Sequence, residues 1–115
     1  MGRYTQQYMI EISPQKLLLA LKESLELCNL SITYSTGDYV MAQEATGSVS
    51  FSKLVTVEVL IHQTEIDGDN VKLTCVTKNQ ELPLRSNNHC QRMADMVSQA
   101  FAGNQNWKLV EMIPG

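Results

Sequence analysis

Hydrophobic residues recur at every second position along most of residues 30–79, and this spacing constrains the fold more than any other feature of the chain. The side chains of a β-strand point alternately to its two faces, so a period of two predicts strands with one buried face. Short turn sequences divide the segment into four strands, at residues 30–35, 39–45, 49–66 and 71–79, with a hairpin turn at 67–70. Because short turns join them, we expect these strands to be antiparallel.

An alternating segment and a helix precede this ribbon. Residues 4–12 alternate and predict a further strand. Ser13 and Pro14 are typical of a helix N-cap and first helical position, and the apolar stripe that follows predicts a helix from Pro14 to about Asn29.

A second amphipathic helix is predicted after the ribbon, with its N-cap among residues 86–88 and its last residue at Ala102, before Gly103. Residues 104–115 fit either a short edge strand or a packed tail. Since a sheet face and two helix stripes must be buried together, we expect a two-layer α+β fold. Its order is β-α-β-β-β-β-α, with both helices on one face of a curved antiparallel sheet, in a single domain spanning residues 1–115.

This element order resembles the TATA-binding-protein-like half-repeat and, more loosely, the shorter helix-grip domains. Fold-level resemblance says little about function. A sheet face that reads DNA needs basic and intercalating side chains. The outward positions predicted here instead include Glu11, Glu44 and Glu58, with Lys72 and Lys78 as their cations, and the net charge is −3. We therefore expect no nucleic-acid partner.

Neither membrane nor export signals are predicted. No apolar run approaches the roughly 20 residues of a membrane-spanning helix, so no membrane partner is expected. The first residues, Met1 to Gln7, lack the apolar stretch of a secretory signal, which makes the cytoplasm the expected compartment.

Three cysteines, Cys28, Cys75 and Cys90, all fall on predicted inward faces. Their odd number and wide spacing favour reduced thiols that fill small core sites, although a buried three-thiol cluster is an alternative. The chain has no phosphate-binding glycine motif and no short-spaced ligand set, so neither a cofactor nor a metal is predicted.

No pair of residues forms a recognisable catalytic unit. His89 and Cys90 are neighbours on a predicted helix, where their side chains diverge by about 100°. Glu58 and His62 share a strand face but lie about 13 Å apart along the strand. We therefore predict a non-enzymatic protein, while a site assembled across strands would leave no such signature.

The first functional hypothesis is a protein-binding or assembly domain, with another protein or a second copy of the chain as partner. Apolar side chains at predicted outward positions would form its surface. The candidates are Leu19, Leu27, Leu30, Leu54, Leu60 and Val76. The alternative is an ordinary mixed and solvated surface.

The second hypothesis is a carrier of a small apolar ligand in a cavity between the sheet and the helices. Aromatic residues and methionines would line that cavity, since methionine adapts to irregular ligands. The candidates are Tyr8, Tyr34, Met41, Phe51, Met93, Met96 and Phe101. The alternative is that these residues form an ordinary core.

Overall fold

The computed structural model describes residues 1–47, 49–63, 70–82, 84 and 88–114. The elements are β1 (Gly2–Glu11), α1 (Pro14–Glu26), β2 (Leu30–Ser35), β3 (Tyr39–Glu44), β4 (Thr56–Gln63), β5 (Asn70–Asn79), α2 (His89–Ala102) and β6 (Lys108–Pro114), with a 3-10 turn at Phe51–Lys53. The α+β class and the antiparallel sheet predicted from the sequence are confirmed. The C-terminal residues, for which two structures were open, form a sixth strand.

The six strands form one sheet in the order β2-β3-β4-β5-β1-β6. Strands β2 to β5 follow one another as neighbours, and all pairs are antiparallel. The first strand of the chain lies inside the sheet, between β5 and β6. The sequence therefore predicts the ribbon, while the position of β1 depends on contacts between distant residues.

Both helices pack on the same face of the sheet and share one core with it. The inward side chains of β1 and β3 to β5 meet the apolar stripes of α1 and α2 there. None of the helices that the structure describes is long and apolar enough to cross a membrane. The arrangement matches the predicted helix-grip type, whereas the resemblance to the TATA-binding half-repeat stays a prediction.

Helix α1 is shorter than predicted. It begins at Pro14, after an extended Ser13, but ends at Glu26 rather than near Asn29. Asn29 has a φ of 62°, a left-handed conformation that no helix interior allows and that asparagine tolerates. The turn at Leu27–Asn29 lets Leu30 enter β2 directly.

Helix α2 begins and ends where the sequence predicts. Asn88 is the N-cap, and its side-chain oxygen accepts a hydrogen bond of 2.9 Å from the Gln91 N–H. Its amide nitrogen donates to the Tyr4 hydroxyl at 2.9 Å. Asn88 therefore caps the helix and also ties it to β1.

The strand predicted at 49–66 is wrong at its start. A 3-10 turn occupies Phe51–Lys53, and β4 begins only at Thr56. Lys53 interrupts the apolar alternation at this point, and the Leu54 N–H bonds back to the Phe51 carbonyl. The predicted end of this strand and most of the turn at 67–70 fall on residues 64–69, outside the described residues.

Three aromatic residues link β1, α2 and the segment before β6. The rings of Tyr8 and Phe101 are 5.0 Å apart and those of Phe101 and Trp107 are 5.5 Å apart, both edge-to-face. The Trp107 indole N–H donates to the Phe101 carbonyl at 2.8 Å, which satisfies its polar group inside the core. This cluster directs the chain from α2 back to the sheet edge.

Gly2, the first residue of β1, lies in tight contact with β5 and α2. A Cβ atom added there would lie 2.7 Å from Asn79 Oδ1 and 3.2 Å from Cys90 Cβ. Asn79 is buried, and its amide nitrogen donates to the Lys53 carbonyl at 3.3 Å, so its side chain has little freedom to move away.

We expect Gly2→Ala to lower the free energy of unfolding by about 1–3 kcal/mol, the usual cost of overpacking. Urea denaturation followed by circular dichroism measures this change. Gly37→Ala is the matched control, because a Cβ there meets nothing within 4 Å. Equal stability of the two variants would contradict the tight contact.

Candidate functional site

The sequence predicts the interaction residues in two patches, one on the outer sheet face and one around Leu19, Leu27 and Leu30, and half of them are covered. Leu30, Leu54 and Val76 are buried, which corrects their predicted exposure. Leu30 faces the helices as part of the core, and Leu54 lies in the connection that precedes β4. Val76 does lie on the outer face, but it stands between Thr5 on β1 and Glu58 on β4, which cover it.

The other three candidates for that surface are exposed. Leu19 lies on α1 and Leu27 in the turn that follows it, with 65% and 79% of their surface accessible, and Leu60 is exposed on β4. Two of the three therefore belong to α1 and its C-terminal turn, and the third lies on the outer sheet face. A role in binding another protein stays a prediction for these residues.

The residues predicted to line an apolar cavity do not lie together. Tyr34, Phe51 and Met96 are exposed, so they do not lie between the sheet and the helices as predicted. Tyr34 shifts to the outer face because a register irregularity interrupts β2 between Ile32 and Tyr34. Met41, its partner across the strands, is half-buried. Tyr8, Met93 and Phe101 are buried, with Tyr8 and Phe101 in direct contact.

The outer sheet face carries a polar network instead of a continuous apolar patch. The Tyr39 hydroxyl donates to Glu58 at 2.8 Å, and Lys78 forms an ion pair with the same carboxylate. The hydrogen bond from Lys78 lowers the pKa of Glu58 below its usual value, and the Tyr39 bond adds to that effect.

The three cysteines are free and buried. Burial raises the pKa of Cys75 to about 12 and that of Cys90 to about 11, so both remain neutral thiols at physiological pH. The Cys90 thiol donates to the Thr77 carbonyl at 3.5 Å. Within the described residues, no group of three or more His, Cys, Asp or Glu side chains could hold a metal ion.

A buried carboxylate contacts a histidine where β3, β4 and α2 meet. Glu44 Oε1 lies 2.8 Å from His89 Nε2 and also accepts the Val55 N–H at 2.9 Å. Only 8% of the Glu44 side chain is accessible. Such a carboxylate needs a compensating donor, so the imidazole fastens the first turn of α2 to the sheet.

This histidine borders an open cleft of about 510 Å³, which we call the His89 cleft. Its described lining residues are Ser52, Lys53, Gln80, Glu81, Leu82, Leu84, Asn88, His89 and Arg92. Lys53 already pairs with Glu81 at 3.7 Å, and His89 is held by Glu44. Lys53, Glu81 and His89 therefore already have partners within the protein.

A second cleft, of about 380 Å³, lies between β1 and α2, and we call it the strand–helix cleft. Its lining residues are Arg3, Tyr4, Thr5, Gln6, Tyr8, Cys75, Thr77, Gln91, Ala94, Asp95 and Ser98. Four of them are consecutive in β1, although neighbouring strand residues point to opposite faces. The cleft therefore runs along the edge of β1 as well as over its inner face.

The walls of the strand–helix cleft are chemically mixed. Gln91, Ala94, Asp95 and Ser98 recur at helical spacing and form one face of α2. The sequence pattern predicts Ala94 in the apolar stripe of this helix and the other three residues on its solvated face. Burial raises the pKa of the Tyr8 phenol to about 12, despite an opposing hydrogen bond from Ser98. The cleft can thus offer neutral hydroxyl groups and an aromatic ring as well as the charges at its rim.

Sequence reasoning found one member of this cleft, Tyr8, among its ligand-binding candidates. The polar face of α2 escaped it because a polar helix face is usually solvated. The contribution of β1 residues 3–6 escaped it because strand pairing between distant residues leaves no local pattern. Asp95 lies on the polar side of α2, and the sequence pattern is the same whether such a residue lines a cleft or faces open solvent.

No protein-family model matches this chain, and no curated protein matches it. Among solved structures the chain is similar to Ara h 8.0201, with 14% sequence identity and a TM-score of 0.40. The alignment covers 86% of this chain and 95% of that one. A likeness at this level carries no inference about what the chain binds.

We expect His89→Ala to lower the free energy of unfolding by about 3 kcal/mol, because it leaves the Glu44 carboxylate buried without its imidazole partner. Removing the charge as well, in Glu44→Gln with His89→Ala, restores part of this loss. The exposed His62 supplies the control, His62→Ala, with a change within about 0.5 kcal/mol. Similar values for the two histidine variants in urea denaturation would contradict the assigned contact.

Stability should fall at alkaline pH. Tyr8, Cys75 and Cys90 have pKa values raised above their ordinary 10.0 and 9.0, so the folded state holds these protons more tightly than the unfolded state. Their contribution is complete below about pH 9 and is lost as the pH rises toward 11–12. Urea denaturation from pH 8 to 10.5 measures the slope, which Cys75→Ala makes shallower. An unchanged slope in that variant would show that burial of the Cys75 thiol does not contribute to the pH dependence of stability.

Proposed function

We propose that this chain is a non-enzymatic ligand-binding domain that holds a small ligand of mixed polar and apolar character in the strand–helix cleft. The observation that carries the proposal is the pairing of two regular walls, four consecutive β1 residues and one face of α2, around a volume of about 380 Å³. Ligand-binding clefts in proteins commonly have volumes of about 300–1,000 Å³.

The lining favours an amphipathic ligand over a wholly apolar one. Ala94 provides apolar contact together with the small accessible part of Tyr8, 1% of its surface, while Gln91, Asp95 and Ser98 provide polar groups. Burying an apolar molecule there would remove water from these polar groups, which costs free energy. The cleft is therefore less suited to the fully apolar ligand predicted from the sequence than to an amphipathic one.

A binding role also fits the chemistry of the described residues better than a catalytic one. Neither Cys75 nor Cys90 forms a thiolate at neutral pH, since burial raises both pKa values to about 11 or 12. The imidazole of His89 uses Nε2 to contact Glu44 and lies in the other cleft. The strand–helix cleft itself contains no histidine.

Ala94→Phe should block the cleft, because the added ring fills the space between α2 and β1. The measurement is a ¹H–¹⁵N NMR screen with soluble fragments of about ten to twenty non-hydrogen atoms that combine an aromatic ring with a polar group. We expect binders to shift the amide signals of residues 3–6 and 91–98 in the original protein and to lose this effect in Ala94→Phe.

Ala102→Phe is the matched control, since Ala102 is exposed at the last turn of the same helix and lies outside the cleft lining. It should bind as the original protein does. Fragment-induced shifts that cluster at the His89 cleft, or that survive Ala94→Phe, would contradict the proposal.

A further inference from the structure

The His89 cleft has walls from three parts of the chain, and each wall is held in place by a polar contact. Lys53, in the 3-10 turn, pairs with Glu81 after β5 at 3.7 Å, and its carbonyl accepts the Asn79 amide at 3.3 Å. The third wall is the first turn of α2, where His89 contacts the buried Glu44 at 2.8 Å. A cleft of about 510 Å³ held in this way exists before a ligand binds.

Cations outnumber anions among the charged side chains of this cleft. Lys53 and Arg92 carry fixed positive charges, and Glu81 carries the one fixed negative charge of the described lining. Glu44 lies outside the lining, and its carboxylate already has two partners. The described lining therefore favours an anion with a single charge over a cation.

Both cations can take a further partner. The Lys53 ammonium has three N–H donors, its side chain is exposed, and its pair with Glu81 is long at 3.7 Å. Arg92 is exposed and has another interaction within the protein, but its guanidinium has five donors in a planar fork that matches a carboxylate. Exposed ion pairs contribute little to stability, so a bound carboxylate can share these donors.

Two exposed leucines stand beside these cations. Leu82 and Leu84 both line the cleft, and neither belongs to the buried core. A hydrogen bond of 2.8 Å from the Leu84 N–H to the Leu82 carbonyl holds the two residues in one tight turn. Covering these side chains would remove apolar surface from water, so a ligand with an apolar chain next to its charged group suits the cleft.

We infer that the His89 cleft is a second binding site, which holds a carboxylate with a short apolar chain. The carboxylate pairs with Lys53 and Arg92, and the chain covers Leu82 and Leu84. Ser52, which also lines the cleft, provides a neutral hydroxyl donor. This site goes beyond the proposed function, because it lies in a different cleft and selects its ligand by charge.

Three small molecules separate the charge from the apolar chain in a ¹H–¹⁵N NMR titration at constant ionic strength. Hexanoate has both features, acetate lacks the chain, and hexanamide lacks the charge. We expect hexanoate to shift the amide signals of residues 52–54 and 80–82 and to bind with a dissociation constant of about 10 mM, which is usual for a ligand of this size. Acetate and hexanamide should bind at least about fivefold more weakly, since each lacks one of the two contacts.

Arg92→Gln and Lys53→Gln should each weaken hexanoate binding about threefold to fivefold, because each removes one positive charge from the site. Leu84→Ser should weaken the binding of hexanoate and leave that of acetate unchanged. Lys16→Gln is the matched control, because Lys16 is an exposed lysine on α1 outside the cleft lining. It should bind hexanoate as the original protein does.

Hexanoate that binds no more tightly than hexanamide, or charge variants that bind as well as Lys16→Gln, would overturn the inference. If Arg92→Gln does not fold, Lys53→Gln decides the question, since its side chain is exposed in a turn. The two clefts are tested independently, because the strand–helix cleft is followed at residues 3–6 and the His89 cleft at residues 52–54 and 80–82.

Discussion

The pairing of β1 with β5 is the constraint on which the rest of this structure depends. Ten consecutive residues of the first strand pair with residues near position 75, so Gly2 lies opposite Asn79 and Glu11 opposite Asn70. This pairing leaves β1 next to the edge of the sheet, and α1 must then cross the inner face to reach β2 at the other edge. Helix α2 likewise leads from β5 over β1 to β6. Both helices lie on one face because each buries its apolar stripe against the same inner face of the sheet.

The strand–helix cleft lies between the N-terminal half of β1 and one face of α2. Strand β5 covers the whole of β1, while β6 covers its second half, next to the Tyr8, Phe101 and Trp107 cluster. In the first half, α2 lies beside β1 and the cleft separates them. Asn88 holds the two walls in register, because it caps α2 and bonds to Tyr4. The proposed function and the fold therefore share the same element, the N-terminal half of β1.

Polar contacts fix the first turn of α2 on the other side of the helix. Glu44 accepts from Val55 and contacts His89, and Asn79 is buried beside Gly2 and Cys90 with its Oδ1 lacking a donor among the described residues. These contacts fix the position of the first turn of α2, because moving it would break hydrogen bonds of a buried charge or amide and destabilise the fold. A helix held in this way provides a rigid wall for a binding cleft.

The sequence by itself determined the elements whose signal is local. Alternation predicted the antiparallel ribbon, the helix stripes predicted the inward faces of α1 and α2, and the N-cap and C-terminal glycine predicted the limits of α2. Two predicted boundaries were wrong, the start of β4 near Lys53 and the end of α1 near Asn29. In both places a turn that depends on a few residues interrupts the periodic pattern. The tertiary structure alone decided that Leu30, Leu54 and Val76 are covered, that Tyr34 and Phe51 face solvent, and that Asp95 lines a cleft. Exposure and shared sites depend on which distant strands pair and where their pairing ends, and a period of two or 3.6 residues carries no information about that choice.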